Sequence, residues 1–514
     1  MTKRLNFIFP LIWIASVAAD ERPNIFFFFA DDWGRHAGVY SDSDHPSISD
    51  VLDTPNIDRI GKEGVIFENA FTQVASCGPS RACLSTGRSF WRNGSAVFKG
   101  GDHFTKATDP YTTLPKFGDL LRESGYHVDK YWKTITFDVS PGSKPSVEFP
   151  MPNAKQFPRY GLHVGSTQSE SERQERHDQV VENVGNVMGH HLTEVPEGKP
   201  FFFIFGPINT HRPYTPDSGK ALWGIEPDDL KGRIPAFLPD VDEVRRDFSD
   251  YAGEIQALDL MLGVMLDELE RQGELDNTIV ILSGDHGMPG VPRGKTTCYD
   301  FGVKVPLMVR YPAMIEAGRR VEDFVTLSDL APTLLELADV EVPDTMDARS
   351  FLAQLKSPKS GWIDASRNKV ITGRERHVDA ARKGALPYPM RSVRTGEYLY
   401  IRNFKPERTL YGDVDGGYRD MDASLTKSFI LDHAEDEAGE AFFKLHFEEQ
   451  PGEVLYRVGD DPDSMENLSD NPEYASVMEE MRATLLKTME KTGDLRLTDE
   501  YDEMPWTGPV KERK

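Results

Sequence analysis

The chain has 514 residues, 39% of them hydrophobic and 28% charged, with 84 Asp and Glu against 59 Lys and Arg for a formal net charge of −25. That is enough chain for more than one domain and a large core, while the acidic balance excludes a broad basic surface for nucleic acid. Three cysteines cannot build a disulfide framework. Beyond the N-terminus no apolar run reaches the ~20 residues of a membrane span. The expected partners therefore include no nucleic acid, and no integral membrane association is expected. A polyanionic substrate would have to be met by a local cluster of cations.

Residues 1–19 read as a signal peptide. Lys3 and Arg4 precede the apolar stretch 5–14, and Ser16-Val17-Ala18-Ala19 supplies small residues for cleavage. The expectation is a periplasmic or secreted protein. Asn24–Ala30 is then uniformly apolar and aromatic and stops at Asp31-Asp32. Such a run predicts a strand buried on both faces. Residues 200–205 lead in the same way to Asn209-Thr210-His211, and 278–282 lead to Gly284-Asp285-His286. Helical patterns over 114–124 and 251–272 lie between. This alternation predicts an α/β domain over 20–370, with a large mixed or parallel sheet flanked by helices. Ligands collect at the carboxyl ends of such strands, where all three polar clusters fall.

From residue 371 the pattern changes. Short strands are expected over 392–394, 397–401 and 454–456. An amphipathic helix over 473–492 carries Val477, Met481, Leu485 and Met489 on one stripe. These predict a smaller α+β domain over 371–514 carrying an antiparallel sheet. The acidic stretch 405–450 reads as a long loop or insertion.

The chemistry concentrates in Cys77-Gly78-Pro79-Ser80-Arg81, followed by Thr86-Gly87-Arg88. Read without context, Cys77 is a buried cysteine near a proline turn or half of a Cys77–Cys83 disulfide. The segment resembles the signature of the type I sulfatases of the alkaline phosphatase superfamily. Residues 54–58, 67–71 and 330–334 look like further landmarks of that family, so the resemblance runs along nearly the whole mature chain. It implies an alkaline-phosphatase-like fold and a sulfuric ester hydrolase. It also implies that Cys77 is oxidised to formylglycine (3-oxoalanine) by a formylglycine-generating or anaerobic sulfatase-maturing enzyme. An aldehyde hydrate offers a neutral geminal diol that can attack sulfur beside a divalent cation. Its second hydroxyl then lets the sulfated form collapse back to the aldehyde.

The resemblance carries over residue by residue. Asp31, Asp32, Asp285 and His286, with the group made from Cys77, match the metal positions. Oxygen-rich ligation suits Ca²⁺ or Mg²⁺, and the family implies one Ca²⁺ per chain. Arg81, Lys133, His211 and Lys295 match catalytic positions. Arg81 would hold the diol, His211 would protonate the leaving atom, and the lysines would grip sulfate oxygens. Lys295 precedes a strand expected over 303–307. One position departs from the family, which has a histidine two residues after the lysine where this chain has Ile135; His103 is a candidate substitute. Residues 388–394 and 400–403 resemble the C-terminal domain of the heparan N-sulfatase branch. His103, Arg374, His377 and Arg391 are accordingly candidate substrate-binding residues, although 373–377 reads equally as a solvated basic loop.

The function expected is hydrolysis of O-sulfate esters on carbohydrates. The alternatives are an N-sulfoglucosamine sulfohydrolase, a formylglycine-dependent phosphodiester or phosphonate hydrolase, and an inactive glycan-binding relative that Ile135 keeps in play.

Overall fold

The computed structural model describes residues 22–98, 109–141, 159–167 and 169–503. The expected signal peptide and His103 lie outside the described residues. In chain order the main strands are β1 (Asn24–Ala30), β2 (Val65–Phe71), β3 (His127–Trp132), β4 (Phe201–Gly206), β5 (Thr278–Gly284), β6 (Leu307–Arg310) and β7 (Arg319–Thr326). They form one sheet in the order β3-β4-β1-β5-β6-β2-β7. β6 runs antiparallel to both β5 and β2, and the other pairings are parallel, so the sheet is mixed.

The phenylalanine run of β1 explains its central place. Successive side chains point to opposite faces. Phe26 and Phe28 enter the core under the helix Asp242–Arg271, and Ile25, Phe27 and Phe29 enter the one under the helix Leu330–Leu337. Burying each such side chain contributes about 1.5–3 kcal/mol, so both faces need helical cover. The helix expected over 251–272 begins earlier, at Asp242, because Val244, Phe248 and Tyr251 already continue the buried stripe. The helix expected over 114–124 is confined to Phe117–Glu123, after Pro115. The strand expected over 303–307 starts only at Leu307, since Pro306 has no N–H for the ladder; its carbonyl instead accepts from Ser283 Oγ at 2.6 Å.

A second, antiparallel sheet holds β8 (Lys369–Arg374), β9 (Met390–Thr395), β10 (Tyr398–Asn403) and β11 (Glu453–Arg457) in the order β11-β10-β9-β8. The helix Ala475–Thr492 covers it with Met478, Met481, Leu485 and Met489, against Val393, Tyr400 and Leu455. Val477 flanks this stripe rather than leading it.

The stretch 405–450 is not a loop. It contains helices Leu425–Asp432 and Glu440–Phe447, whose Ile430 and Phe447 join the main core. Thr426 Oγ1 donates to Asp247 of the long helix at 2.6 Å. Most of its acidic residues face outward and hide the apolar spacing in the sequence, Asp420 being the buried exception. Among the described residues, no helix is long and apolar enough to cross a membrane.

One ion network fixes the inner edge of the second sheet. Arg391 donates to Glu375 Oε1 at 2.7 Å and to Asp494 Oδ2 at 2.6 Å, with Arg496 also on Glu375. All four are buried. Removing one partner leaves uncompensated buried charge. Arg391→Ala should therefore lower unfolding stability by about 3–5 kcal/mol, read from the midpoint of urea denaturation; an unchanged midpoint would contradict this account of the network.

Candidate active site

The site begins with strand register. Ala30 pairs with Gly284 in the parallel β1–β5 ladder, which sets Asp31 and Asp285 level at the carboxyl edge. Asp285 N donates to Ala30 O at 3.1 Å, and Asp31 N donates to Pro207 O at 2.9 Å, drawing in the exit of β4. Asp32 has φ of 60°, a left-handed conformation that aspartate tolerates. Its amide donates to Asp285 Oδ1 at 2.8 Å. A Cβ at Gly284 would stand 1.9 Å from the Trp33 carbonyl oxygen, so only glycine lets the two turns meet.

Cys77 is the first residue of the helix Cys77–Thr86. Extended Ser76 precedes it, Pro79 sits in the first turn where no amide partner is required, and Gly87 at φ 61° ends it. Ser80 Oγ donates to Asp285 O at 2.8 Å and ties this helix to the β5 exit. Cys77 Sγ thereby lies 3.6 Å from Asp32 Oδ1 and 3.3 Å from His286 Nε2. Ligand atoms from Asp32, Cys77, Asp285 and His286 all fall within 4.8 Å of one another, as do those of Asp31, Asp32 and His211. The three cysteines are free, which removes the Cys77–Cys83 disulfide.

Cations surround these carboxylates. Arg81 Nε donates to Asp285 Oδ2 at 3.0 Å and its Nη2 to Asp31 Oδ1 at 3.1 Å. The guanidinium also lies 4.7 Å from the Phe29 ring centre. Lys133 Nζ donates to Asp31 Oδ2 at 2.5 Å, and Lys295 Nζ to Asp32 Oδ2 at 2.8 Å. His211 Nδ1 donates to Arg212 O at 2.7 Å, which fixes the proton there and leaves Nε2, 3.9 Å from Asp31, facing the site.

Charge balance decides the electrostatics. Burial alone would raise Asp31, but Lys133 and Arg81 outweigh it and hold the carboxyl well below the usual range. Burial pulls Lys133 down, and Asp31 more than restores it. For Asp285 burial wins over His286 and Arg81, and its carboxyl is pushed up. Burial lowers His286, but Asp285 and Asp32 overcome it and lift the imidazole to about 9. Three fully buried carboxylates thus face Arg81, Lys133 and Lys295. Their crowded hard oxygens fit a divalent cation.

The structure brings Asp31, Asp32, Cys77, Arg81, Lys133, His211, Asp285, His286 and Lys295 together. Ile135 is buried in the apolar cluster with Phe117 and Phe202 and offers nothing polar. His377 Nδ1 lies 2.8 Å from Ser76 Oγ, against the start of the Cys77 helix. Two expected sugar contacts need correction. Arg374 is buried, donating to Thr296 O at 2.6 Å and pairing with Asp420. Arg391 is buried in the network described above. Guanidinium groups matched by buried carboxylates are not available to a sugar. Conversely, the sequence reading missed Asp422, whose Oδ2 lies 3.2 Å from Lys295 Nζ. It sits in the acidic stretch with no motif to mark it. Arg159 was also missed; its Nη2 is 3.5 Å from His211 Nδ1.

Comparison with known proteins agrees with this geometry. The family described as Sulfatase matches residues 23–340. The chain is 27% identical over 486 residues to an ulvan-active sulfatase of Formosa agariphila, covering 92% of this chain and 76% of that protein. It is 25% identical over 516 residues to N-sulphoglucosamine sulphohydrolase of Homo sapiens, covering 94% and 93%. The solved structure of BT4656 in complex with its substrate D-glucosamine-2-N,6-O-disulfate has a TM-score of 0.61 at 18% identity, covering 94% of this chain and 99% of that one. That last likeness is one of fold.

The carboxylate cluster generates a direct test. Protein equilibrated with calcium and then treated with a chelator should lose thermal stability, by about 2.7 kcal/mol if the ion was present at a hundred times its dissociation constant. Asp285→Ala should abolish the difference between the two preparations. An Asp285→Ala protein that binds calcium with the wild-type stoichiometry would take Asp285 out of the metal site.

Proposed function

Because the chain belongs to the sulfatase family, and so is a sulfuric ester hydrolase, we propose that it removes O-sulfate from carbohydrates outside the cytoplasm. Its cofactors are one Ca²⁺, held by Asp31, Asp32, Asp285 and His286, and formylglycine made from Cys77 by a maturation enzyme. The observation that carries the reading is Cys77 at a helix start, 3.6 Å from Asp32 and 3.3 Å from His286, inside a ring of three cations. The Cys77 sulfur stands where the formylglycine oxygen would stand. When bound, the cation and the aldehyde hydrate supply a Lewis acid and an oxygen nucleophile.

The remaining tasks fall to the chain's own groups. Arg81 braces Asp31 and Asp285 from behind. Lys133 and Lys295 are positioned to neutralise sulfate oxygens as charge moves onto them. His211, anchored through Nδ1 by the Arg212 carbonyl, presents Nε2 to the leaving atom. Support for a carbohydrate comes from the relatives, one active on ulvan and one on N-sulphoglucosamine. The N-sulfoglucosamine reading is kept second, because that similarity spans 94% of this chain. These cations grip only the SO₃ group and leave the bridging atom unread.

Three outcomes test the proposal. Mass spectrometry of the peptide around Ser76–Arg81, from a host with maturation enzymes, should show the aldehyde and its hydrate at position 77. Cys77→Ser should keep the fold and lose nearly all turnover; full activity with only a thiol at position 77 would sink the mechanism. His211→Ala should slow hydrolysis of a sugar sulfate about 10²–10⁴-fold and that of a nitrophenyl sulfate far less, since nitrophenolate needs no proton to leave. Equal losses would remove His211 from the acid role.

A further inference from the structure

Lys295 Nζ is bracketed by two carboxylates, with Asp32 Oδ2 at 2.8 Å and Asp422 Oδ2 at 3.2 Å. They differ in position. The Lys295 side chain is 2% exposed and Asp32 is fully enclosed, whereas Asp422 is 30% exposed. Asp422 is therefore the more exposed of the two carboxylates on the lysine, although the oxygen it turns to Lys295 is buried. Asp32 already pairs with Lys295, so Asp422 is a second carboxylate on the same ammonium. Next to a site for an anion it is also unfavourable, since like charges repel.

Its placement is nonetheless firmly built. Asp420, two residues earlier, is buried between Arg374 and Arg382, the latter at 2.7 Å. Lys427 Nζ donates to the carbonyls of Gly417, Tyr418 and Met421 at 2.9, 3.0 and 3.0 Å. Ser424 Oγ donates to Gly290 O at 2.5 Å, and Thr426 Oγ1 to Asp247 at 2.6 Å. The backbone on both sides of Asp422 is thereby fixed. Arg374, expected on sequence grounds to touch the sugar, instead holds the turn that presents this carboxylate.

We propose that Asp422 is a specificity residue that accepts a hydrogen bond from the substituent on the sugar carbon next to the scissile sulfate. With a sulfate oxygen on Lys295, that substituent is the part of the sugar nearest to Asp422. A carboxylate there favours a neighbouring hydroxyl or ammonium group, both of which donate. It disfavours a second sulfate or a carboxylate, which only accept and repel. The inference rests on the carbohydrate reading above and adds the chemistry of the neighbouring position.

The test uses the mature calcium-loaded enzyme and three sulfated pyranosides, matched in ring and in the sulfate position that the wild type cleaves fastest. The neighbouring carbon carries a hydroxyl, a hydrogen or a second sulfate. Wild type should prefer the hydroxyl over the hydrogen by about 10–100-fold in kcat/KM and should take the disulfate least well. Asp422→Ala should bring the hydroxyl and deoxy substrates to within about threefold of each other. Asp422→Asn, which keeps the shape of the side chain, should narrow the gap to the disulfate. Equal losses on the hydroxyl and deoxy substrates would mean that Asp422 acts only through Lys295, and would overturn the proposal while leaving the carbohydrate reading intact. Wild-type activity on a nitrophenyl sulfate with none on any sugar sulfate would remove both.

Discussion

The burial of three carboxylates at one point on a sheet edge is the constraint around which the rest of the molecule is arranged. Asp31, Asp32 and Asp285 are fully enclosed, and an isolated buried carboxylate costs several kcal/mol. The chain answers with Arg81, Lys133 and Lys295, each drawn from a different segment. Bringing those segments together folds the helix Cys77–Thr86, the β3 exit and the β5 loop onto the same few ångströms. In the proposed function two of these cations, Lys133 and Lys295, also meet the sulfate, so the charge balance that permits burial would serve the anion as well.

The second sheet contributes more than mass. Its buried arginines lack solvent, and Arg374, Arg382 and Arg391 are matched by Asp420, Glu375 and Asp494. Such pairs give little net stability against apolar packing, but breaking one is costly. They hold the 417–427 segment and the start of β9 rigid, and through His377 and Ser76 the same region touches the residue preceding Cys77. The wall of the site beside Cys77 is thus built partly from a residue more than 300 positions away in the chain.

Ile135 illustrates how a local change is absorbed. Its side chain turns into the apolar cluster behind β4, with Phe117 and Phe202, while Lys133 two residues earlier still reaches Asp31. Polar function and core packing are separable here because β3 ends at Trp132, and the residues beyond it no longer follow a strand's alternation.

Much of this was legible in the sequence, for definable reasons. The run Asn24–Ala30 could only be a strand covered on both faces. The polar pairs at the ends of such runs had to gather at one edge, and the Cys77 segment carried its own start and stop signals. Those features depend on neighbours in the chain. The sequence did not reveal which arginines remain available, because Arg374 and Arg391 differ from solvated arginines only through the carboxylates opposite them, at positions 420, 375 and 494. Nor did it mark Asp422, which meets Lys295 across more than 120 residues and lies in an acidic stretch with no motif around it. Local pattern determined the elements and the reacting cluster. Long-range ion pairing, whose strength depends on burial that only the packed chain creates, decided which charges are paired inside the second domain and which gather around the carboxylates of the site.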